Sequence, residues 1–384
     1  MKILLASSSS GSRGGGELYL LYLGRALADR GHRVALWASQ HPRMDELVAS
    51  FGAIGEVHRS PYSNTYDRAA RSLASWLDAA SARRVAAEWT RIAPDVVHLN
   101  KQNLEDGLDL VHATALTGLP GIATIHLTQS ARYLRAHFAG ARDFVARRAL
   151  QAFPGIFVTV LEDRRRDLEK FLARAERLRT VVNGVPLFDL GRKEEARRQT
   201  RAELALPEPA FLVIAVGRMV PQKRPLLFLD LAARLSAERR NARFVWIGDG
   251  PLASEWDRSV AERGLGSVVQ RLPWQTDVAR FLFAADLFLH VAEFEGLPLA
   301  VLEALSAGVA CAITENLRGE MPFLTDTNSI AVREDPRWIR ATCDPEALAA
   351  LGAAGRQLAE QRFSYGTMGA AYESLYEEAV RSTG

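Results

Sequence analysis

Short apolar runs alternate with amphipathic stretches along the whole chain. KILLAS, residues 2–7, is an apolar run that ends in serines and glycines. An amphipathic stretch follows over 17–30, with Gly31 as its C-terminal stop. HRVALWA then reads as a second strand. Helical patterns near 66–92, 104–117 and 130–150 separate strands at 95–100, 121–127 and 155–160. A parallel strand covered on both faces reads as a continuous apolar run, and these do. Such alternation predicts a doubly wound parallel sheet with helices on both faces.

The pattern then restarts. RTVVNGVP, residues 179–186, closes the first series with an Asn-Gly turn and a proline. Residues 188–209 are polar and charged and read as a linker. FLVIAVG (211–217) is a new first strand, followed by a helix over 224–239, a strand over 244–250 and a helix to 263. Strand VVQRLPW, a short helix at 277–284, strand 286–292, a helix at 298–307 and strand VACAIT complete the second series. The expected fold class is α/β, with two Rossmann-like halves in tandem. Ligands bind such halves at the carboxyl ends of the strands, which makes a cleft between them the default site.

Composition narrows the function classes. Of 384 residues, 48% are hydrophobic and 24% charged, which excludes disorder for the bulk of the chain. No apolar run reaches the roughly 18–20 residues that span a bilayer. The first residues are too short an apolar stretch for the core of a signal peptide. Cys311 and Cys343 make neither a disulfide framework nor a zinc site, so a reduced, cytoplasmic setting is expected. The net charge of +3 is small, but residues 1–190 carry 25 basic against 19 acidic side chains. The surplus gathers at Arg132, Arg135, Arg142, Arg147, Arg148 and Arg164–Arg166. It reads either as solvated helix faces or as a half that docks on anionic lipid or a phosphorylated acceptor. No aromatic interleaving suggests stacked bases, so no nucleic-acid partner is expected.

Chemistry-bearing residues sit in the loops after strands. Gly11, Gly14, Gly15, Gly16 and Glu17 follow the first strand. Glycines let backbone N–H groups approach an oxyanion, but the spacing is not G-x-G-x-x-G and a flexible turn explains it equally. Arg218 and Lys223 follow strand 211–217 in GRMVPQK; they suit a diphosphate, or are two solvated cations. Glu295 and Glu303 stand eight apart in EGLPLAVLE. Pro298 fits a first helical turn, and Gly296, Leu297, Pro298 and Leu299 would offer a helix start to a phosphate or sugar. Glu303 can accept from two vicinal hydroxyls, and Glu295 would face the reacting group; the alternative is a surface carboxylate pair. Asn100, Lys101, Gln102 and Asn103 follow the strand at 95–100 as a polar cluster facing the cleft. No Asp-x-Asp pair offers a divalent-cation site, so no metal is expected.

GRMVPQK, GDGP at 248–251 and EGLPLAVLEALSAG at 295–308, in this order and spacing, resemble the signature of retaining GT-B glycosyltransferases of family 4 (glycosyl transferases group 1). The Gly-Gly-Gly-Glu loop, PDVVHLN, TIHLT around His126 and VVNGV agree, so the resemblance covers essentially the whole chain. It implies a GT-B fold: an acceptor-binding domain over 1–187, completed by a C-terminal helix at 365–384 that carries Tyr372 and Tyr376, and a nucleotide-sugar domain over 188–364. Arg218 and Lys223 would hold the donor diphosphate. Glu303 would hold the ribose and Glu295 the transferred sugar, with Gly217, Gly248 and the Gly296–Leu299 backbone around them. Trp274 and Gln275 would hold the base. Gly15 and Gly16 would close on the diphosphate, and His126 would sit at the reaction centre. Glu17, Asn100, Lys101 and Gln102 would meet the acceptor.

There are departures from the family's pattern. The strand before the glutamates ends HVAEFEG, with His290 and the extra acid Glu293, where Pro-Ser is usual. VLEDRRR replaces a Val-Ser helix start, and Pro186 follows NGV. The expected activity is retaining, metal-independent transfer from a nucleotide-sugar, UDP-linked by family frequency, to a hydroxyl acceptor in cell-surface glycan synthesis, with peripheral contact at the inner face of the membrane. Alternatives are a small soluble acceptor, a nucleotide-sugar epimerase of the same fold and a non-catalytic glycan-binding protein.

Overall fold

The computed structural model describes residues 1–9, 11, 13–335 and 337–382. The chain divides into two units, Met1–Gly184 with Tyr365–Gly384, and Val185–Ser364. The first unit is built on seven strands: β1 Lys2–Ser7, β2 Arg33–Ser39, β3 Glu56–Ser60, β4 Val96–Asn103, β5 Gly121–Leu127, β6 Ile156–Thr159 and β7 Leu178–Thr180. They lie in the order β3-β2-β1-β4-β5-β6-β7, every neighbouring pair parallel. Ile3, Leu4, Leu5 and Ala6 of the central strand are buried, as a strand covered on both faces requires.

The second unit repeats the plan with β8 Phe211–Val216, β9 Ala242–Ile247, β10 Val269–Leu272, β11 Leu287–His290, β12 Cys311–Thr314 and β13 Ile330–Val332. The order is β10-β9-β8-β11-β12-β13, again parallel. In each sheet the chain steps outward in one direction and then returns to the other side of its first strand. The reversal falls between β1 and β4, and between β8 and β11. Loops leaving neighbouring strands there part in opposite directions and open a crevice at the carboxyl end.

The last helix, Tyr365–Arg381, packs on the first unit. Its Gly369 lies so close to the helix Gly15–Asp29 that a Cβ would stand 2.8 Å from that of Ala26. Its tyrosines enter a buried polar network. His98 Nδ1 is 2.6 Å from the Tyr376 hydroxyl, His98 Nε2 is 2.8 Å from Thr124 Oγ1, and Thr124 is 2.7 Å from the Tyr372 hydroxyl. Burial drives His98 down to about 3, so the imidazole is neutral there.

Four features differ from the sequence reading. Residues 188–209 are not a linker: Lys193–Glu203 is a helix, held by Arg197 and Arg201 on Asp286 and on the Ala284 carbonyl. The pattern over 66–92 breaks into Arg71–Leu77 and Ala79–Ile92, because Asp78 caps the second helix by accepting from Ser81 N. Helix 130–150 begins only at Ala139. Strand β4 runs three residues beyond Asn100. Among the described residues no helix is long and apolar enough to cross a membrane. Both cysteines are free thiols.

Candidate functional site

At the reversal in the second unit, the loops after β8 and β11 are fastened to each other. The Gln222 carbonyl accepts from Glu293 N at 2.8 Å, and Gln222 Nε2 donates to the Phe294 carbonyl at 2.9 Å. This brings Lys223, at the end of the short 3-10 turn Pro221–Lys223, onto Glu295, where Nζ pairs with Oε1. His290, the last residue of β11, sets Nε2 3.4 Å from the same Oε1. Glu295 and His290 are buried. Burial works to raise the Glu295 carboxyl, but the Lys223 ammonium and His290 outweigh it and hold the group at about 2. Burial lowers His290, and Glu295 opposes that shift. Arg218 is exposed on the same loop as Lys223 and, among the described residues, nothing pairs with its guanidinium.

The helix after this loop is Leu299–Ser306, entered from Pro298 in an extended conformation. No side chain caps it, so its first-turn N–H groups present the positive end of the helix dipole. Gly296, Leu297, Pro298 and Leu299 are buried around that start, and Glu303 is buried within the helix. Glu293, two residues before Glu295, is exposed.

Beside these loops, β9 ends at a backbone contact that tolerates only glycine. Gly248 has φ +137°, and a Cβ on it would stand 2.2 Å from the Gly217 carbonyl oxygen. That oxygen also accepts from Trp246 Nε1 at 2.9 Å. Asp249 then accepts from Trp274 N and from Arg271, both at 3.1 Å, fixing the half-buried Trp274 after β10. Gln275 turns its amide onto the Pro273 carbonyl at 3.2 Å.

In the first unit the helix Gly15–Asp29 also starts without a side-chain cap, behind Gly14, with Glu17 in its first turn. Asn100 of β4 joins it to β5. Its Nδ2 donates to the Gly16 carbonyl at 2.9 Å, which turns Oδ1 toward His126 Nε2 at 2.7 Å. His126 therefore carries its proton on Nε2. Burial lowers it to about 4, so it is neutral at pH 7, with the Tyr19 ring edge-on at 4.7 Å. Gln102 Nε2 donates to Glu17 Oε1 at 3.2 Å and roofs Gly16, where a Cβ would meet its amide.

The polar cluster expected to follow the strand at 95–100 lies within β4 itself. Asn100 and Lys101 lie inside the strand and are fully buried, because their partners are inside too. Lys101 faces Asp106, Asp109 and Glu105; burial nonetheless lowers it to about 8, and its ammonium makes no hydrogen bond. Of the four residues expected to meet the acceptor, Asn100, Lys101 and Glu17 are buried and Gln102 is half-buried. The basic surplus is also partly used up internally. Arg164, Arg165 and Arg166 pair with Asp167, Glu162, Glu169 and Asp163 along the helix Glu162–Leu172, and Arg142 grips Glu105. Arg132, Arg135, Arg147 and Arg148 remain exposed, interleaved with exposed Tyr133, Leu134, Phe138 and Phe144. Among the described residues no cluster of His, Cys, Asp or Glu is arranged to hold a metal ion.

Of the residues expected from the sequence, the structure brings Lys223 and Glu295 together, with Gln222 and His290, to which the sequence assigned no role, beside them. The available signal was a lone histidine ending the apolar run LFLH.

Comparison with known proteins places the chain in a family and a fold. The profile of the glycosyltransferase family 4 matches residues 13–187, and that of the glycosyl transferases group 1 matches 196–351. The Escherichia coli UDP-Gal:alpha-D-GlcNAc-diphosphoundecaprenol alpha-1,3-galactosyltransferase is 30% identical over 162 residues, a match spanning 41% of this chain and 41% of that enzyme. The D-inositol 3-phosphate glycosyltransferase of Thermobispora bispora is 28% identical over 98% of this chain and 92% of its own. Among solved structures, Anabaena Alr3699/HepE in complex with UDP and glucose superposes with a TM-score of 0.78 at 20% identity, over 97% of this chain and 98% of that one. Sucrose-phosphate synthase from Thermosynechococcus elongatus gives 0.80 at 17% identity over the full length of both. With one profile on each Rossmann-type unit, the chain belongs to the family 4, group 1 glycosyltransferases and has their GT-B fold.

Proposed function

We propose that the enzyme transfers a sugar, with retention and without a metal, from a UDP-sugar to a hydroxyl of a lipid-linked glycan precursor in cell-surface polysaccharide synthesis. The observation that carries this reading is the convergence of Lys223 and Glu295 beside the uncapped helix start at Leu299. Cations and N–H dipoles suit a diphosphate there, and Glu295 and Glu303 suit the hydroxyls of sugar and ribose. Trp274 and Gln275 take the base.

In the reaction, the bond between the anomeric carbon and the β-phosphate oxygen breaks, and the acceptor oxygen bonds to the same face. The acceptor proton passes to the departing phosphate oxygen. Arg218, Lys223 and the helix start stabilise the charge that builds on the diphosphate. The first unit takes the acceptor, with Glu17, Gln102 and His126 near its glycine loop. His126 is held there as a neutral imidazole, its Nε2–H engaged by Asn100 Oδ1. The exposed patch of Tyr133, Leu134, Phe138 and Phe144 among arginines favours a membrane-borne acceptor at the cytoplasmic face over a small soluble one.

A thermal-shift screen against UDP, GDP, ADP, TDP and CMP tests the donor. At 100 times its Kd a ligand stabilises by about 2.7 kcal/mol. A selective shift with UDP is expected; no shift with any nucleotide would overturn the donor site.

A further inference from the structure

Lys223 and His290 converge on one oxygen, Oε1 of Glu295; Glu295 and His290 are buried and Lys223 is half-buried. Gln222 is the neutral neighbour, 3.5 Å from the other carboxylate oxygen. In the free protein the ammonium cancels the carboxylate. A nucleoside diphosphate offers that ammonium several oxyanions at once, and Lys223 cannot serve both fully. A buried carboxylate stripped of its partner is costly, by several kcal/mol in comparable pairs. The charged groups bearing on His290 are Glu295, from the loop that follows its strand, and Lys223, from the turn after β8. The Phe288 ring lies parallel to the imidazole, with centroids 6.1 Å apart.

We propose that His290 is a positioning residue that takes up a proton from solvent when a nucleoside diphosphate draws Lys223 away, so that Glu295 keeps a counter-charge and its place. The inference rests on the donor-site reading above. The balance is simple: Lys223 moves its positive charge to the diphosphate, neutral imidazole plus one proton becomes imidazolium, and the net charge around Glu295 is unchanged. Both changes at His290, a bare carboxylate gained and a cation lost, raise its proton affinity. A nucleotide that still carries its sugar gives Glu295 hydroxyl donors and needs the proton less. The nucleotide product should therefore bind more tightly as pH falls.

The test is calorimetric titration of the full protein with UDP, and with inorganic pyrophosphate as a probe that needs no base contacts. Buffers of different ionisation enthalpy report the protons taken up. The terminal phosphate of UDP titrates in the same range, so the readout is the difference between wild type and His290→Asn. Wild type should take up more protons, by up to about one per ligand near pH 6.5, with the difference fading at high pH. A second measurement on the wild type alone, ring NMR of His290, should register conversion to imidazolium on adding UDP. Equal uptake by both proteins, or a ring that stays neutral with UDP bound, overturns this inference and leaves the donor site standing. Failure of the wild type to bind either probe overturns the donor reading and this inference with it.

Discussion

Breaking the Lys223–Glu295 pair should destabilise the second unit before any substrate is involved. Consider Lys223→Met, which keeps the side-chain volume and removes the charge. Glu295 is held near 2 where a carboxyl of its type titrates at 4.5. At about 1.4 kcal/mol per tenfold change in proton affinity, that difference is worth about 3 kcal/mol. Only 8% of the Glu295 side chain is exposed, so solvent screening trims little of it. The variant leaves the buried carboxylate with only His290 and the neutral Gln222 amide beside it, a change that costs about 3–5 kcal/mol in comparable cases. For a unit of this size the melting temperature should fall by roughly 6–12 °C. A lowered carboxyl contributes its stability above pH 4.5 and loses it as pH falls toward 2. The gap between wild type and variant should accordingly be full at pH 7 and narrow in acid. Lys223→Met with Glu295→Gln should recover much of the loss, giving a coupling of about 2–3 kcal/mol in a double-mutant cycle. Calorimetry follows the melt of wild type and variants. If each single substitution costs under about 0.5 kcal/mol and the two simply add, the pair is not closed in the free protein and the reasoning fails.

Three other outcomes are expected. Arg218→Gln should leave the melting temperature unchanged, since the guanidinium has no internal partner, and weaken UDP binding by about 10–100-fold, the worth of one or two charge-assisted bonds; unchanged affinity in calorimetry would remove Arg218 from the donor site. Gly248→Ala meets both a left-handed φ and the Gly217 carbonyl, so it should cost about 3 kcal/mol or more; a wild-type melting curve would contradict the close contact. Phe138→Ser with Phe144→Ser should reduce co-sedimentation with phosphatidylglycerol vesicles, and salt should weaken what remains; binding equal to wild type would move membrane contact off this patch.

The alternation of apolar runs and helices was legible because inner strands of a parallel sheet are buried on both faces. Two edge strands, β3 and β13, escaped for the converse reason. EVHRS in β3 is only half covered and carries three ionisable side chains, and IAV in β13 is three residues long. Lys193–Glu203 hid as a linker because ion pairs to Asp286 anchor it where an apolar stripe would have advertised it. The run Arg164–Arg166 looked like a patch, yet its acidic partners stand three and four residues away in the same stretch and were there to be read. In the site, Lys223 and Glu295 were legible because each follows a strand at a reversal of sheet order. The burial of Asn100 and Lys101 was not, because the Gly16 carbonyl and Asp106 that receive them come from loops whose approach no local pattern announces.

The last helix finishes the unit with which the chain begins, and this sets a schedule for synthesis. Thr124 and His98 wait for the hydroxyls of Tyr372 and Tyr376, and the helix Gly15–Asp29 waits for Gly369. At about 5–20 residues per second, the ribosome needs roughly 10–40 s to travel from Gly184 to Tyr376. Through that interval the second unit can complete itself while the first keeps an unfinished face. Nascent chains arrested before Tyr365 should be cut readily by protease within 1–184, whereas chains released beyond Arg381 should resist; equal resistance would mean that the first unit closes on its own. Closure of the half made first thereby hangs on one element made much later, the helix Tyr365–Arg381.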